Sequence, residues 1–249
     1  MRFDIITILP KAFDSYLNAS LLARAQGKNL IDIYIHNLRD YATDPHSTVD
    51  DRPYGGGAGM VLRVDILAKA LQKIIKIKKK TTRIILFSAS GKPLTQKKIQ
   101  ELKKKYKQLV LICGRFEGFD ARINKLVDEE ISIGDYILTG GELPAMVLID
   151  GVSRLVSGVL GKEESLLEES FNESTGASGT AGSALLEYPH YTRPESFKWK
   201  GKNYKVPKIL TSGHHAKIAK WRKEQSEKLT RKRRPDLLKR LTKPNQLPK

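Results

Sequence analysis

The chain has 249 residues, of which 40% are hydrophobic, and it carries a formal net charge of +18 at pH 7. This length and apolar content allow one sizeable core and a smaller second one. No apolar run is long enough to span a bilayer, and a lone cysteine excludes a disulfide framework and a cysteine metal cluster, so we expect a cytoplasmic protein without membrane association.

Along the first two thirds of the chain, apolar strands alternate with helical patterns. The strands are predicted over residues 3–9, 31–35, 83–88 and 109–113, with a loop over 89–93. The helices are predicted over residues 10–26, 64–80, 95–107 and 142–156. Strands and helices in this order predict an α/β fold with a doubly wound, largely parallel sheet.

Three glycine-containing loops follow strands of this predicted sheet, at residues 88–91, 114–118 and 132–141. Ligands of such sheets bind beyond the carboxyl ends of the strands, so the three loops together predict one pocket. Glu117 offers a carboxylate that can accept a hydrogen bond from a ribose hydroxyl. Cys113, at the end of an apolar run, is predicted to be a buried small hydrophobe rather than a nucleophile.

Beyond residue 160 the composition changes. Residues 161–183 contain acidic residues and then a run of Ser, Gly, Ala and Thr, which predicts a flexible linker. We therefore expect a domain over 1–160 and a small, basic, mostly helical domain over 184–249, with helices over 214–229 and 237–241.

The positive charge is concentrated in this second domain. Lys198 to Lys249 contains 18 Lys and Arg against three acids and so carries +15, which leaves +3 for the preceding 197 residues. Within it, the basic stretch 198–208 is interleaved with Trp199 and Tyr204. Segregated charge of this size indicates a polyanionic partner, and nucleic acid is favoured over a membrane surface.

Six motifs along the chain resemble those of the bacterial tRNA (guanine-N1)-methyltransferases, which modify the base that follows the anticodon. They are TVDDRPYGGGAGM at 48–60, CGRFEG at 113–118, SIGDY at 132–136, GGELPA at 140–145, PHYTRP at 189–194 and SGHHA at 212–216. The resemblance implies a SPOUT-class enzyme with a C-terminal trefoil knot in its α/β domain, working as a homodimer on guanosine 37 of tRNA.

The same resemblance implies S-adenosyl-L-methionine as the methyl donor. Carried over by position, the donor-binding residues are Ser88, Gly114, Glu117, Ile133, Gly134, Asp135, Tyr136, Ile137, Leu138, Gly140, Gly141 and Pro144. At 89–90 the chain has Ala-Ser where the family usually has Pro-Gln. The residues predict no metal site.

Two residues carry the implied chemistry. From helical spacing alone, the simpler interpretation of Arg154 is an ion pair with Asp150, one turn earlier. The resemblance instead assigns Arg154 to stabilising negative charge on the guanine, and Glu169 to removing the N1 proton. The family has Asp where this chain has Glu169, a stem longer by about 1.5 Å at most. Glu168 is the alternative carboxylate.

The glycine-rich loop at 48–60 is the predicted guanine-reading segment, with Asp50, Arg52, Gly55 and Gly59 as the substrate-binding residues. Two alternatives remain open at the level of the sequence. One is a SPOUT methyltransferase for another RNA site, and the other is an RNA-binding protein of this fold that has lost catalysis. A nicotinamide oxidoreductase is disfavoured, because no Gly-x-Gly-x-x-Gly follows the first strand.

Overall fold

The computed structural model describes residues 1–161, 169–171 and 185–242, with side chains as far as Leu238. The chain divides into two compact units, Met1–Gly161 and Lys162–Lys249. Most of the predicted linker, at 162–168 and 172–183, lies outside the described residues. None of the helices in the described ranges has the length and apolar content needed to cross a bilayer.

The first unit is built on a five-stranded, entirely parallel sheet with the strand order β2-β1-β6-β5-β7. An α/β fold with a parallel sheet is therefore confirmed. A short antiparallel pair, β3 and β4, lies outside this sheet. The strands are β1 Arg2–Thr7, β2 Asp32–Asn37, β3 Asp50–Asp51, β4 Val61–Leu62, β5 Thr82–Pro93, β6 Gln108–Ile112 and β7 Glu129–Ser132.

Helices cover both faces of the sheet, as a doubly wound arrangement requires. The helices of the first unit are α1 Asp14–Leu17, α2 Ser20–Gly27, α3 Val64–Ile74, α4 Gln96–Lys105 and α5 Glu142–Ser153. Successive strand residues point to opposite faces, so Ile5 packs in the core under α2, α4 and α5, whereas Ile6 packs in the core under α3. Both side chains are fully buried.

The prediction of one continuous helix over 10–26 is wrong. A 3-10 helix at Pro10–Phe13 leads into α1, the helix stops at Asn18, and α2 starts afresh at Ser20. Ser20 has a φ of 46°, outside the right-handed helical region, so an uninterrupted helix cannot pass through it. Apolar periodicity alone does not reveal such a break.

Two further boundaries differ from the predictions. The helix predicted over 64–80 ends at Ile74, before a lysine run whose like charges would face each other along a helix. The segment 89–93, predicted as a loop, instead continues β5, and its pairing with β7 changes register between Phe87 and Lys92. This irregular extension carries Ser88 and Ser90 along the carboxyl edge of the sheet.

The described part of the second unit contains an antiparallel hairpin and two helices. The elements are β8 Ser196–Trp199, β9 Lys202–Lys205, α6 His215–Arg233 and α7 Pro235–Thr242, with a 3-10 helix at Lys208–Thr211. Both predicted helices are present and longer than predicted. Trp221 on α6 is half-buried, with its ring centroid 6.4 Å from that of Tyr191.

A buried carboxylate lies at the amino-terminal edge of the sheet. Asp4 on β1 is fully buried, and it accepts from Arg2 Nε at 2.7 Å and Gln108 Nε2 at 2.8 Å, with His36 Nε2 at 2.9 Å. Burial opposes ionisation, but these three hydrogen bonds outweigh it and lower the pKa of Asp4 to about 2. A carboxylate with a lowered pKa stabilises the folded state above its ordinary pKa, and this stabilisation is lost as the pH falls towards 2.

We expect Asp4→Asn to lower the free energy of unfolding by about 2 kcal/mol at pH 7, from the size of the pKa shift. Urea titration followed by far-UV circular dichroism measures this change. The difference from the wild type should narrow as the pH falls below about 4. Asp65→Asn is the matched control, because Asp65 pairs with Arg63 in the same i, i−2 arrangement on the exposed surface and should cost under about 1 kcal/mol. Equal effects of the two substitutions at pH 7 would contradict the prediction.

Candidate functional site

The three glycine loops predicted from the sequence meet in one cavity at the carboxyl edge of the sheet. The cavity measures about 430 Å³ and combines apolar side chains, backbone and a few polar groups, as small-molecule pockets do. Its lining is drawn from the middle of β5, the segment between β6 and β7, β7 itself and the loop after β7. The lining residues are 86–90, 114–119, 121, 123, 124, 130–134, 136–141 and 144.

Close backbone approaches hold this edge together. A Cβ at Gly91 would lie 2.5 Å from the carbonyl carbon of Ile131, so only glycine lets the β5 extension lie against β7. A Cβ at Gly141 would lie 2.7 Å from Cys113 Cα, and Gly141 N donates to Gly114 O at 2.9 Å. The loop after β7 therefore returns to the end of β6 and closes one side of the cavity.

Glu142 fixes the start of α5 beside the cavity. Its buried carboxylate accepts a hydrogen bond from Thr7 Oγ1, at the end of β1, at 2.8 Å. A carboxylate in the first turn of a helix is also favoured by the helix dipole. The predicted helix start near Glu142 is confirmed, and Gly141 lies at its N-cap.

Cys113 lies under this wall. Its side chain is buried. Burial is the main cause that raises the pKa of the thiol well above its usual value, and the nearby Glu142 carboxylate raises it further. A thiol in this state is a poor nucleophile, as the sequence predicted. Within the described ranges, no group of three or more His, Cys, Asp and Glu side chains could hold a metal ion.

The polar groups of the cavity come from separate segments of the chain. Glu117 is on the loop after β6, where its backbone N–H donates to Met60 O at 3.0 Å. On β5, Ser88 Oγ and Ser90 Oγ are 2.7 Å apart, and Ser90 Oγ donates to Glu130 Oε2 of β7 at 3.2 Å. The lining therefore offers carboxylates from two segments, Glu117 and Glu130.

The loop at 48–60 adjoins this cavity through Glu117. A Cβ at Gly59 would lie 2.6 Å from Glu117 Cγ, so the two residues are in direct contact. Asp50 is on β3, opposite Leu62 of β4, and Arg52 is exposed. Gly55 and Gly59 have φ values of 88° and 79°, which favour glycine.

The structure brings together eleven of the twelve residues predicted to bind the donor, all except Asp135, which is not part of the lining. Arg154 also lies away from the cavity of its own chain. It is at the carboxyl end of α5, whereas Gly141 and Pro144, at the amino end, face the cavity. The twelve residues of α5 separate these ends by about 18 Å. Glu169 is half-buried in the second unit, and Glu168 lies outside the described residues.

Several lining residues were not among those that the resemblance assigned to the donor. The polar ones are Ser90, Arg115, Asn124, Glu130, Ser132 and Thr139, of which Asn124 and Glu130 also lie outside the three predicted loops. Arg115 Nη1 donates to Thr139 O at 2.7 Å and so ties the loop after β6 to the loop after β7. Glu130 lies on β7, an edge strand that the sequence analysis did not predict.

An open parallel sheet with a glycine-lined pocket at its carboxyl edge defines the chain as a ligand-binding α/β protein. Residues 1–240 match the family described as tRNA (Guanine-1)-methyltransferase TrmD. The chain belongs to this family, and the resemblance drawn from its six motifs is confirmed.

Curated relatives agree with this assignment. The chain is 49% identical to a tRNA (guanine-N(1)-)-methyltransferase of Syntrophomonas wolfei, over 96% of this chain and 90% of the relative. It is 47% identical to the enzyme of the same name from Nostoc punctiforme, over 97% of this chain and 94% of the relative. It is 49% identical to the enzyme of the same name from Brevibacillus brevis, over 97% of this chain and 93% of the relative.

Proposed function

We propose that the chain transfers the methyl group of S-adenosyl-L-methionine to N1 of guanosine 37, next to the anticodon of tRNA. One observation carries this proposal beyond family membership. Eleven of the twelve residues that the family resemblance assigns to the donor line a single cavity. Residues from three separate loops would not converge in this way if each loop were an ordinary turn.

The cavity fits S-adenosyl-L-methionine. Its volume of about 430 Å³ lies in the range of small-molecule pockets. Apolar side chains such as Leu138 and Pro144 suit an adenine ring, and Glu117, Glu130 and Ser88 suit hydroxyl and amino groups. When bound, S-adenosyl-L-methionine supplies an electrophilic methyl group.

The residues of the chain supply the remaining chemistry. N1 of guanine carries a proton and is a poor nucleophile, so a base must remove that proton as the new bond forms. Glu169 is the proposed base. Negative charge then develops towards O6, and the guanidinium of Arg154 is the proposed group that stabilises it. Removing either contribution should slow transfer without changing how the donor binds.

The loop at 48–60 is the proposed guanine reader. It contacts Glu117 through Gly59, so a base held by this loop lies beside the donor cavity. Asp50 offers an acceptor for the guanine N2–H group, and Arg52 offers donors for N7 or phosphate. Reading of this kind requires a base that is splayed out of the stack.

We expect Arg52→Ala to lower kcat/KM for tRNA by about tenfold or more, the size of one lost bidentate contact, and to leave donor affinity within about twofold. Steady-state kinetics at varied tRNA and calorimetric titration of the donor separate the two effects. Arg24→Ala, at an exposed position on α2, is the control for loss of a positive charge. If Arg52→Ala weakens donor and tRNA equally, the loop has a structural role instead.

We also propose that the active form is a homodimer. Large apolar side chains are exposed on α5 and on the loop before it, with exposures of 57% for Leu143, 49% for Val147 and 83% for Ile137. Exposed apolar surface of this kind marks an interaction site. Arg154 lies on the same helical face as Leu143 and Val147, so a twofold axis beside α5 brings it towards the partner's cavity. Sedimentation equilibrium should then give twice the chain mass of 28.0 kDa.

The proposed trefoil knot has support in the strand order. Because β5 lies between β6 and β7, the chain passes β5 on its way from β6 to β7. It passes β5 again when the loop after β7 returns to Gly114. A trefoil requires such a double crossing, and the close approaches at Gly91 and Gly141 are where backbone passes against backbone.

The experiment that tests the function is transfer of a labelled methyl group from S-adenosyl-L-methionine to unmodified tRNA carrying G at position 37. The same tRNA with A at that position is the control. Transfer only to the G substrate is expected. Donor binding without transfer to any tRNA would favour the non-catalytic RNA-binding alternative, and equal transfer to both substrates would move the target to another site.

A further inference from the structure

The basic stretch at 196–205 folds as a tight hairpin. Lys200 and Gly201 form its two-residue turn, with φ values of 45° and 76°. Positive φ at both central positions gives the turn that matches the twist of paired strands. The register is therefore fixed, with Phe197 opposite Tyr204 and Trp199 opposite Lys202.

The two faces of this hairpin differ in composition. Residues directly opposite each other across a pair of strands share a face. One face therefore carries Phe197, Trp199, Tyr204 and Lys202, and the other carries Ser196, Lys198, Asn203 and Lys205. The exposed fractions of the three aromatic residues are 54% for Phe197, 61% for Trp199 and 46% for Tyr204. Three adjacent exposed rings on one face are not a core.

Stabilisation of the hairpin accounts for two of the three exposed rings but not for the third. The rings of Phe197 and Tyr204 are stacked, with centroids 5.3 Å apart and planes 17° apart. A cross-strand pair of this kind helps hold two strands together. Trp199, however, faces Lys202 rather than a ring, and it is the most exposed of the three. Its indole leaves a broad apolar surface in water.

The positive charge around the rings indicates the kind of partner that would bind this face. Residues 196–205 contain four lysines and no acidic residue. Lys200 Nζ lies 5.9 Å from the centroid of the Trp199 ring. Lysines beside exposed rings combine phosphate contacts with stacking surfaces, which is how proteins bind single-stranded nucleic acid.

We propose that the aromatic face of the hairpin, formed by Phe197, Trp199 and Tyr204, stacks on unpaired bases of an RNA while the neighbouring lysines contact its phosphates. The identification of that RNA as tRNA rests on the proposed function. Stacking is tolerant of sequence because every base has a π face. The hairpin therefore contributes affinity for looped or single-stranded regions and leaves the choice of base to the catalytic unit.

A fluorescence experiment tests the contact directly. The chain has two tryptophans, so Trp221→Phe leaves Trp199 as the reporter. We expect unmodified tRNA to quench Trp199 emission and to protect it from acrylamide. An RNA duplex of equal length, which offers charge without unpaired bases, should bind with little quenching. Equal quenching by the duplex would show that charge alone brings the RNA to this face and would overturn the proposal.

Affinity measurements give a second test in the wild-type background. Trp199→Leu should weaken tRNA binding about tenfold, because it keeps an apolar side chain and removes the ring. Trp199→Phe should recover most of the affinity. Asn203→Thr, on the opposite face, is the control for hairpin integrity and should bind as the wild type does. Unchanged affinity in Trp199→Leu would overturn the proposal.

These tests remain separate from the test of the reaction. In methyl transfer, Trp199→Leu should raise KM for tRNA about tenfold, in line with its weaker binding. If no transfer occurs with any tRNA, fluorescence quenching still reports stacking. If Trp199 is protected from acrylamide without RNA, and more so at higher protein concentration, the face is instead covered by a second copy of the chain.

Discussion

Glu169→Gln should lower the rate of methyl transfer to tRNA by about 10²- to 10⁴-fold, the usual contribution of a positioned general base. The substitution keeps the size and hydrogen-bonding capacity of the side chain and removes only its ability to take a proton. Single-turnover transfer of labelled methyl to tRNA measures the chemical step. Calorimetry should show donor affinity within about twofold of the wild type.

Two further variants make this result specific. Glu168→Gln is the matched control, since it removes a carboxylate from the neighbouring position in the sequence. Glu169→Asp restores the residue type of the family and should retain transfer within about 10²-fold, the penalty for a misplacement of about 1 Å. Transfer that survives in Glu169→Gln and collapses in Glu168→Gln would reassign the base.

The cavity at the carboxyl edge of the sheet was predictable because its parts carry local signals. Continuous apolar strands separated by helical stripes indicate a parallel sheet, and a parallel sheet places its ligand loops at one edge. The glycines of the loops at 114–118 and 132–141 mark where the chain lines the cavity, and Gly91 marks where β5 lies against β7. The polar residue Glu130 carries no such mark, since it lies on β7, a short edge strand that the apolar pattern did not predict.

Other features depend on contacts that a linear pattern does not contain. The break before Ser20 is a backbone conformation and not an apolar pattern. The hairpin at 196–205 has Lys-Gly at its turn rather than the Asn-Gly or Asp-Gly that signals such turns, and each of its strands is only four residues long. Arg154 is far from the cavity of its own chain because α5 is long. In the proposed homodimer it would lie towards the cavity of the partner subunit instead.

Gly141→Ala should both destabilise the first unit and weaken donor binding. Its Cβ would lie 2.7 Å from Cys113 Cα and 2.8 Å from Gly114 N. These are backbone atoms at the end of a central strand, and they cannot rotate away as the end of a side chain can. Forcing an extra methyl group into such a site costs about 1–3 kcal/mol.

The displaced segment is the wall of the cavity, so we expect donor affinity to fall at least about tenfold along with the free energy of unfolding. Far-UV circular dichroism during urea unfolding is the suitable probe, because both tryptophans lie in the second unit and do not report on the sheet. Gly27→Ala is the control: a Cβ there meets nothing within 4 Å, and alanine is favoured over glycine in a helix. A Gly141→Ala protein that unfolds and binds donor as the wild type does would show that the loop after β7 can move away from β6, and the close packing proposed for the knot would then be wrong.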